Sequence, residues 1–366
     1  MKIHNLKLQN FRNYNNLNIN FDDKLNIIYG NNGGGKTNLI EAIYLLSLTK
    51  SFRTNNDKNL ILKNEENSII SGDILKNNNI SNYKINLNKI GKKIEIDNNK
   101  IDKISDYISR ISIIIFYPSE IELIHRAPNE RRRFINIEIS QLYKEYVIIL
   151  NNYNKLLKQR NAYLKQLFIN GNKRTEYLDI LTNKLIEYGL LIHNYREKFI
   201  NEINELVNDI YKKIFIYGEL KIKYISSYNN KSKEDLVKMY QNIYQKELMM
   251  GKTLIGVNYD DIEFILDKNK LRDWGSQGQI KNSILAFKIA EINLVYKIKK
   301  EYPILILDDL FSEIDKEKIK NIMNLFDEEI QTFITTTDIN NIDQEIKNKS
   351  KIFFVENGII KEEENE

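Results

Sequence analysis

The chain has 366 residues, enough for one composite domain or two lobes, and contains no cysteine, which excludes disulfides, thiol catalysis and cysteine-rich zinc sites. Its 55 basic and 50 acidic side chains leave a formal charge of +5, which permits nucleic acid as a partner without arguing for it. No apolar run approaches the roughly 18 residues of a membrane helix, and residues 1–7 lack a signal-peptide core, so a soluble cytoplasmic protein with no membrane partner is expected.

The chain opens on alternating polar and apolar positions, Ile3, Leu6, Leu8 and then Leu17, Ile19, Phe21, which predict two half-buried strands. Leu25-Asn26-Ile27-Ile28-Tyr29 reads as a short strand entering Gly30-Asn31-Asn32-Gly33-Gly34-Gly35-Lys36-Thr37. That segment fits the phosphate-binding loop G-x-x-x-x-G-K-[ST] at every fixed position. Residues 38–46 read as an amphipathic helix leaving the loop. The glycines let backbone N–H groups turn inward around phosphate oxygens, and the helix N-terminus adds its positive dipole end. Lys36 is expected to reach the β- and γ-phosphates of ATP, and the Thr37 hydroxyl to coordinate Mg²⁺.

Short alternating runs between residues 68 and 97, separated by Asn, Gly and Ser, predict an antiparallel meander. Ser112-Ile113-Ile114-Ile115-Phe116-Tyr117, closed by Pro118, reads as a buried strand. From Arg131 to Phe215 the apolar period becomes helical, with dense Lys, Glu and Arg between, and two long antiparallel helices forming an arm are expected. A strand at 219–226 and a helix at 232–249 follow. The last third returns to α/β character, with a helix over 280–300, a buried strand at 304–307, a helix over 316–326 and strands at 332–336 and 351–355. The expected division is 1–118 for the first part of a nucleotide-binding head, 119–260 for a helical lobe and 261–366 for the second part of the head.

A phosphate loop needs an acidic partner on a neighbouring strand, and Leu305-Ile306-Leu307-Asp308-Asp309 supplies it. Asp308 is placed to hold Mg²⁺, directly or through water, and Asp309 to polarise the attacking water, with Glu120 next in line for that task. Gly275-Ser276-Gln277-Gly278-Gln279 opens a helix with small residues and a hydroxyl, a second anion cradle. One nucleotide has little use for two cradles, whereas an ATP sandwich dimer closes the second, through Ser276 and Gly278, on the γ-phosphate of the partner subunit. Ser312-Glu313-Ile314-Asp315 is expected to meet that opposite subunit. Gly251-Lys252-Thr253 mimics the end of a phosphate loop, but the required earlier glycine falls on Lys246. His4, His125 and His193 are scattered and read as neither metal ligands nor bases. The run Arg126, Arg131, Arg132, Arg133 and the lysines of the arm are the candidate electrostatic contacts to DNA.

Residues 30–44 (GNNGGGKTNLIEAIY), 275–279 (GSQGQ) and 303–315 (PILILDDLFSEID) together resemble the RecF family of bacterial recombination and repair ATPases. NFRNY at 10–14, SFRT at 51–54, FYPSEIELI at 116–124 and RRRF at 131–134 are similar to the same family, in order along essentially the whole chain. The resemblance implies an α/β fold, an ABC-type ATPase head with a mixed sheet split by a short coiled-coil-like arm. It also implies ATP-driven homodimerisation on double-stranded DNA and single/double-strand junctions, with weak, DNA-dependent hydrolysis. RecO and RecR would be the partners, in loading recombinase at single-strand gaps and maintaining forks. Lys36, Thr37, Asp308, Asp309, Ser276 and Gly278 fall on the family's phosphate, metal, acidic and trans-acting positions. Two departures stand out. Where the family usually shows Gly-Pro-His-Arg-Asp-Asp this chain has Gly256-Val257-Asn258-Tyr259-Asp260-Asp261, and the arginine usual after the signature is Lys281. A zinc-hook ATPase is excluded by the lack of cysteine, and a nuclease-fused relative would need a further acidic domain beyond the roughly fifty residues after Asp315. A transporter subunit is disfavoured by the length of the helical insert, which leaves as alternative an ATPase of this class using ATP only as a DNA-clamp switch.

Overall fold

The computed structural model describes residues 1–171, 175–215, 218–310 and 316–363, apart from the side chains of 316–318 and 320. The Ser312–Asp315 loop expected to meet an opposite subunit therefore lies outside the described residues. The chain opens with β1 (Lys2–Phe11), β2 (Tyr14–Asn20), β3 (Leu25–Tyr29) and α1 (Lys36–Leu48). It continues through β4 (Asn67–Lys76), β5 (Asn79–Asn88), β6 (Lys92–Ile96), β7 (Asn99–Lys100) and β8 (Ile113–Phe116). Then come α2 (Pro128–Leu142), α3 (Lys144–Ile169), α4 (Glu176–Phe215), β9 (Leu220–Ile225), α5 (Lys233–Met250), β10 (Asp261–Leu266), β11 (Asn269–Lys270) and α6 (Leu271–Trp274). The chain continues with α7 (Gln277–Lys299), β12 (Ile304–Asp308), α8 (Lys316–Met323), β13 (Thr332–Thr336), α9 (Gln344–Asn348), β14 (Lys351–Glu356) and β15 (Ile359–Glu363). Among the described residues no helix is long and apolar enough to cross a membrane.

Two compact units emerge, Met1–Ile121 with Lys213–Ile216 and Ile284–Glu366, and Glu122–Lys212 with Tyr217–Ser283. The second runs past the expected limit at residue 260, because β10 pairs with β9 from Asp261↔Ile225 to Leu266↔Leu220.

The first unit holds two six-stranded sheets, an antiparallel one in the order β2-β1-β4-β5-β6-β7 and another in the order β15-β14-β3-β13-β12-β8. In the second sheet β14, β3, β13, β12 and β8 run parallel and β15 closes one edge antiparallel. The sequence separates the two kinds of strand. β4 and β5 alternate buried and half-exposed positions, whereas Ile113–Phe116 and Ile304–Asp308 are buried throughout, as strands covered on both faces must be. Helix α1 touches β1, β4 and β5 of one sheet and β8, β12 and β13 of the other. Every residue from Leu39 to Leu48 is consequently buried, so α1 is enclosed all round rather than amphipathic as expected. Gln331, fully buried, joins the sheets like a short piece of strand: its Oε1 accepts from Ile3 N at 2.7 Å and its Nε2 donates to Ile3 O at 2.8 Å and Asp22 O at 2.7 Å.

Among the described residues, the stretch from Pro128 to Phe215 holds three helices, α2, α3 and α4, where two were expected. Tyr143, at φ −128° and ψ 111°, breaks the run between α2 and α3, with no Gly or Pro to signal it. Asn204 of α4 closes the exposed side of β9, its amide donating to Ile222 O at 2.7 Å and accepting from Ile222 N at 2.8 Å. The turn 256–261 is an anchor. The buried Asp260 Oδ2 accepts from Arg196 Nη1 at 2.6 Å and from the Tyr224 hydroxyl, and Asp260 O accepts from Arg132 Nη1 at 2.8 Å. Asp261 accepts a two-pronged pair from Arg131, at 2.7 and 2.6 Å. Arg131, 2% exposed, is thus a buried structural cation and not the DNA contact expected of it; Arg132 is half-buried and tied to the same turn. An arginine is read as surface from composition alone, and only the fold places two carboxylates where they can hold it.

Asp260→Ala leaves the buried Arg196 facing Val257 O and Asn136 with no counter-charge. Losing one member of a buried pair costs about 3–5 kcal/mol. The urea midpoint of the variant should fall accordingly, and an unchanged midpoint would remove Asp260 from its role as anchor.

Candidate nucleotide site

The phosphate loop follows β3 and leads into α1, and the segment Arg12-Asn13-Tyr14 braces it from behind. Asn13 Nδ2 donates to Gly34 O at 3.1 Å, the Tyr14 hydroxyl donates to Gly35 O at 3.0 Å, and Gly358 N donates to Gly34 O at 2.9 Å. Gly35 sits at φ 125°, where a Cβ would come within 2.8 Å of both Asn13 Nδ2 and the Tyr14 oxygen, so the brace demands glycine. Arg12 donates to both oxygens of the buried Glu41 at 2.8 Å. Ser51, in the segment after α1, donates its hydroxyl to Glu41 Oε1 and accepts from Arg53 N at 2.9 Å and Thr54 N at 3.0 Å. The NFRNY and SFRT segments therefore meet on one carboxylate of the phosphate-loop helix.

Lys36 is buried, and its ammonium donates to Gly30 O at 2.6 Å and Asn31 O at 3.0 Å. Burial draws its pKa down, opposed by the negative charges of Asp309 and Asp308. The acidic strand β12 is not adjacent to β3 as expected: β13 lies between, with Ile334 opposite Ile27 on one side and Leu307 on the other. The intervening strand contributes Thr335, whose hydroxyl donates to Asp308 Oδ1 at 2.6 Å and accepts from Asp309 N at 3.0 Å. Burial raises the Asp308 pKa, with Asp309 adding to the rise and Thr335, Arg53 and Lys36 working against it. Asp309 takes a left-handed backbone at φ 50°, a conformation that Asp and Asn tolerate better than other non-glycine residues.

Gly33, Gly35, Lys36, Thr37, Asp308 and Asp309 line one cleft of about 330 Å³, so the structure brings the phosphate loop and the acidic pair together. Asn32 also lines it, whereas Gly30 and Asn31 serve as carbonyl partners of Lys36. Arg53, Pro118, Thr335 and Thr337 are further lining residues that the sequence reading missed. The signal for Arg53 was present in SFRT: its guanidinium, 43% exposed, donates to Asn38 Oδ1 at 2.8 Å on the first turn of α1. Glu120 is not at the cleft; its buried carboxylate pairs with Lys288 at 3.1 Å, and Lys288 with Glu291 at 3.4 Å. Thr37 and Asp308 offer hard oxygen ligands of the kind Mg²⁺ takes, and a divalent cation would offset the cost of ionising the buried Asp308.

In the second unit, Ser276 and Gln279 cap α7 reciprocally: Ser276 Oγ accepts from Gln279 N at 3.2 Å, and Gln279 Oε1 accepts from Ser276 N at 2.9 Å. Ser276, Gln277, Gly278 and Gln279 are all exposed, and a Cβ at Gly278 would meet nothing within 4 Å. The expected second cradle is thus an open, preformed helix start.

The profile of the RecF/RecN/SMC N terminal domain family matches residues 2–361. The DNA replication and repair protein RecF of Bacillus cytotoxicus is 38% identical over 98% of each chain. Two solved structures of RecF, described as a recombination mediator protein of the RecFOR pathway, have the same fold. The ATP form aligns with a TM-score of 0.92 at 28% identity, covering 99% of this chain and 98% of that one. The RecF-ATPrS form aligns at 0.90 and 28%, covering 98% and 97%. With the family model matching residues 2–361 and a relative 38% identical over 98% of each chain, this chain belongs to the RecF family.

Proposed function

We propose that this chain is an ATP-dependent DNA-binding protein of recombinational repair and replication-fork maintenance, working in the cytoplasm with RecO and RecR to load recombinase at single-strand gaps. The observation that carries the reading is the single cleft lined by Lys36, Thr37, Asp308 and Asp309, in a fold shared with ATP-bound RecF. The first unit is the ATPase head and the second the arm. The loop 30–37 cradles the triphosphate; Lys36 neutralises the β/γ-phosphate charge. Thr37 and Asp308 would hold Mg²⁺, which when bound withdraws charge from the phosphates. Asp309 orients the attacking water, and Arg53 at the cleft mouth adds positive charge near the nucleotide. Hydrolysis is slow because the site is half-built in one subunit: Ser276 and Gly278 of a second copy complete it, and DNA assists by bringing two copies together. Arg131 being engaged inside the fold, the DNA contact falls to Lys155, Lys158 and Lys165, exposed on α3.

Lys36→Ala should lower ATP affinity ~10²-fold or more, since it removes a buried charge facing the phosphates; calorimetric titration giving parental affinity would refute the loop's role. Asp309→Asn keeps Asp308 and suits the left-handed backbone, so the variant should fold and bind ATP while releasing phosphate more slowly. A parental rate of phosphate release would assign the water to another group. Ser276→Arg should bind ATP in cis but fail to dimerise with it. Mixed with Lys36→Ala protein it should regain some ATPase activity, because one composite site then survives; ATP-dependent dimers from Ser276→Arg alone would reduce 275–279 to a helix start.

A further inference from the structure

Trp274, the chain's one tryptophan, is 80% exposed at the end of the single-turn helix α6. An indole of that size left in water is uncommon in a folded chain, and tryptophan is the residue most enriched at the energetic centres of protein interfaces. Its mounting is rigid. Gly275 N donates to Leu271 O at 2.9 Å, and a Cβ on Gly275 would stand 2.6 Å from Leu271 O and 3.1 Å from Ile280 Cγ1. Leu271 and Ile280 are themselves buried, and the Ser276–Gln279 capping pair fixes the next residues. The corner between α6 and α7 therefore holds the backbone under Trp274 in one conformation, so docking the indole costs little ordering entropy.

We infer that Trp274 is an anchor of ATP-driven self-association, inserted into the nucleotide-bearing face of a second copy of this chain. The inference rests on the reading of Ser276 given above. Trp274 lies two residues from Ser276, a span of at most ~7 Å, so a partner whose phosphate meets Ser276 also covers the indole. Burial of the ring on closure supplies apolar contact beside a phosphate contact that is otherwise polar and salt-sensitive.

The test uses the full-length protein, with sedimentation and tryptophan emission followed together in the presence of ATP, ADP and no nucleotide. The expected result is a dimer with ATP alone, accompanied by a blue shift of Trp274 emission and loss of acrylamide quenching. Trp274→Ala should weaken the ATP-dependent dimer about 10- to 100-fold in dissociation constant while leaving ATP affinity of the monomer unchanged, and Trp274→Phe should recover most of the loss. If the parent dimerises with ATP but emission and quenching do not move, or Trp274→Ala dimerises as the parent does, the inference fails and the role of Ser276 stands. A shift produced by a gapped duplex without dimerisation would assign the indole to base stacking instead and overturn it as well. If the parent forms no ATP-dependent dimer, the reading of Ser276 falls first.

Discussion

A buried carboxylate governs the nucleotide-binding unit. Glu41 lies on α1 with no exposure to water, in a helix enclosed between two sheets. An ionised carboxyl in such a place is tolerated only if its oxygens are occupied by strong donors. Arg12 supplies two and Ser51 a third, while Arg53 approaches at 3.5 Å. The donors come from two segments on either side of the helix that carries the acid, so satisfying one charge ties the turn after β1, the phosphate-loop helix and the segment beyond it into one body. From that body Asn13 and Tyr14 reach the carbonyls of Gly34 and Gly35, and Arg53 is held at the cleft. A glycine-rich loop is thus shaped from inside by Lys36, which bonds the Gly30 and Asn31 carbonyls, and from outside by groups that the pairing of one acid holds in place.

The second unit uses the same device three times. Arg160, 1% exposed, meets Glu247 at 2.6 Å, Thr182 at 2.9 Å and Thr253 at 2.7 Å, with its guanidinium over the Tyr240 ring. Arg196 and Arg131 do likewise with Asp260 and Asp261. A planar guanidinium with five donors can serve an acid and several neutral acceptors at once, which a lysine cannot. The departure of the 256–261 turn from the family pattern becomes intelligible on this basis. The two aspartates that anchor helices are kept, and the changed positions find partners of their own. Asn258 accepts from the Tyr153 hydroxyl at 2.7 Å, and the Tyr259 hydroxyl donates to Thr253 O at 2.9 Å. The turn's structural work needs neither imidazole nor guanidinium.

The nucleotide cleft is built on the opposite condition, charges only partly compensated. Lys36 and Asp308 are both drawn toward their neutral forms by burial, each held charged by the other and by nearby groups. A cation and an anionic phosphate entering together would each supply the opposite charge that favours the ionised form of these groups.

Much of the cleft's lining was legible in the chain. The glycine loop 30–37, the acidic pair 308–309 and the capped helix start at 276–279 each occupy a few consecutive residues, and each depends on local backbone conformation: a glycine turn, a strand end, a helix start. Strands such as Ile113–Phe116 and the Ile304–Leu307 part of β12 declared themselves by unbroken apolar character, since parallel strands covered on both faces leave little room for polar positions. What the sequence by itself determined was therefore whatever a short window contains. What only the tertiary structure decided was which distant groups share a charge. Thr335 stands between the loop strand and the acidic strand, Glu120 answers to Lys288 rather than to a nucleotide, and Arg131 faces Asp261, 130 residues away, rather than DNA. Ion pairing falls off over a few ångströms of space and is indifferent to separation along the chain, so no pattern in the sequence can announce it before the fold has closed.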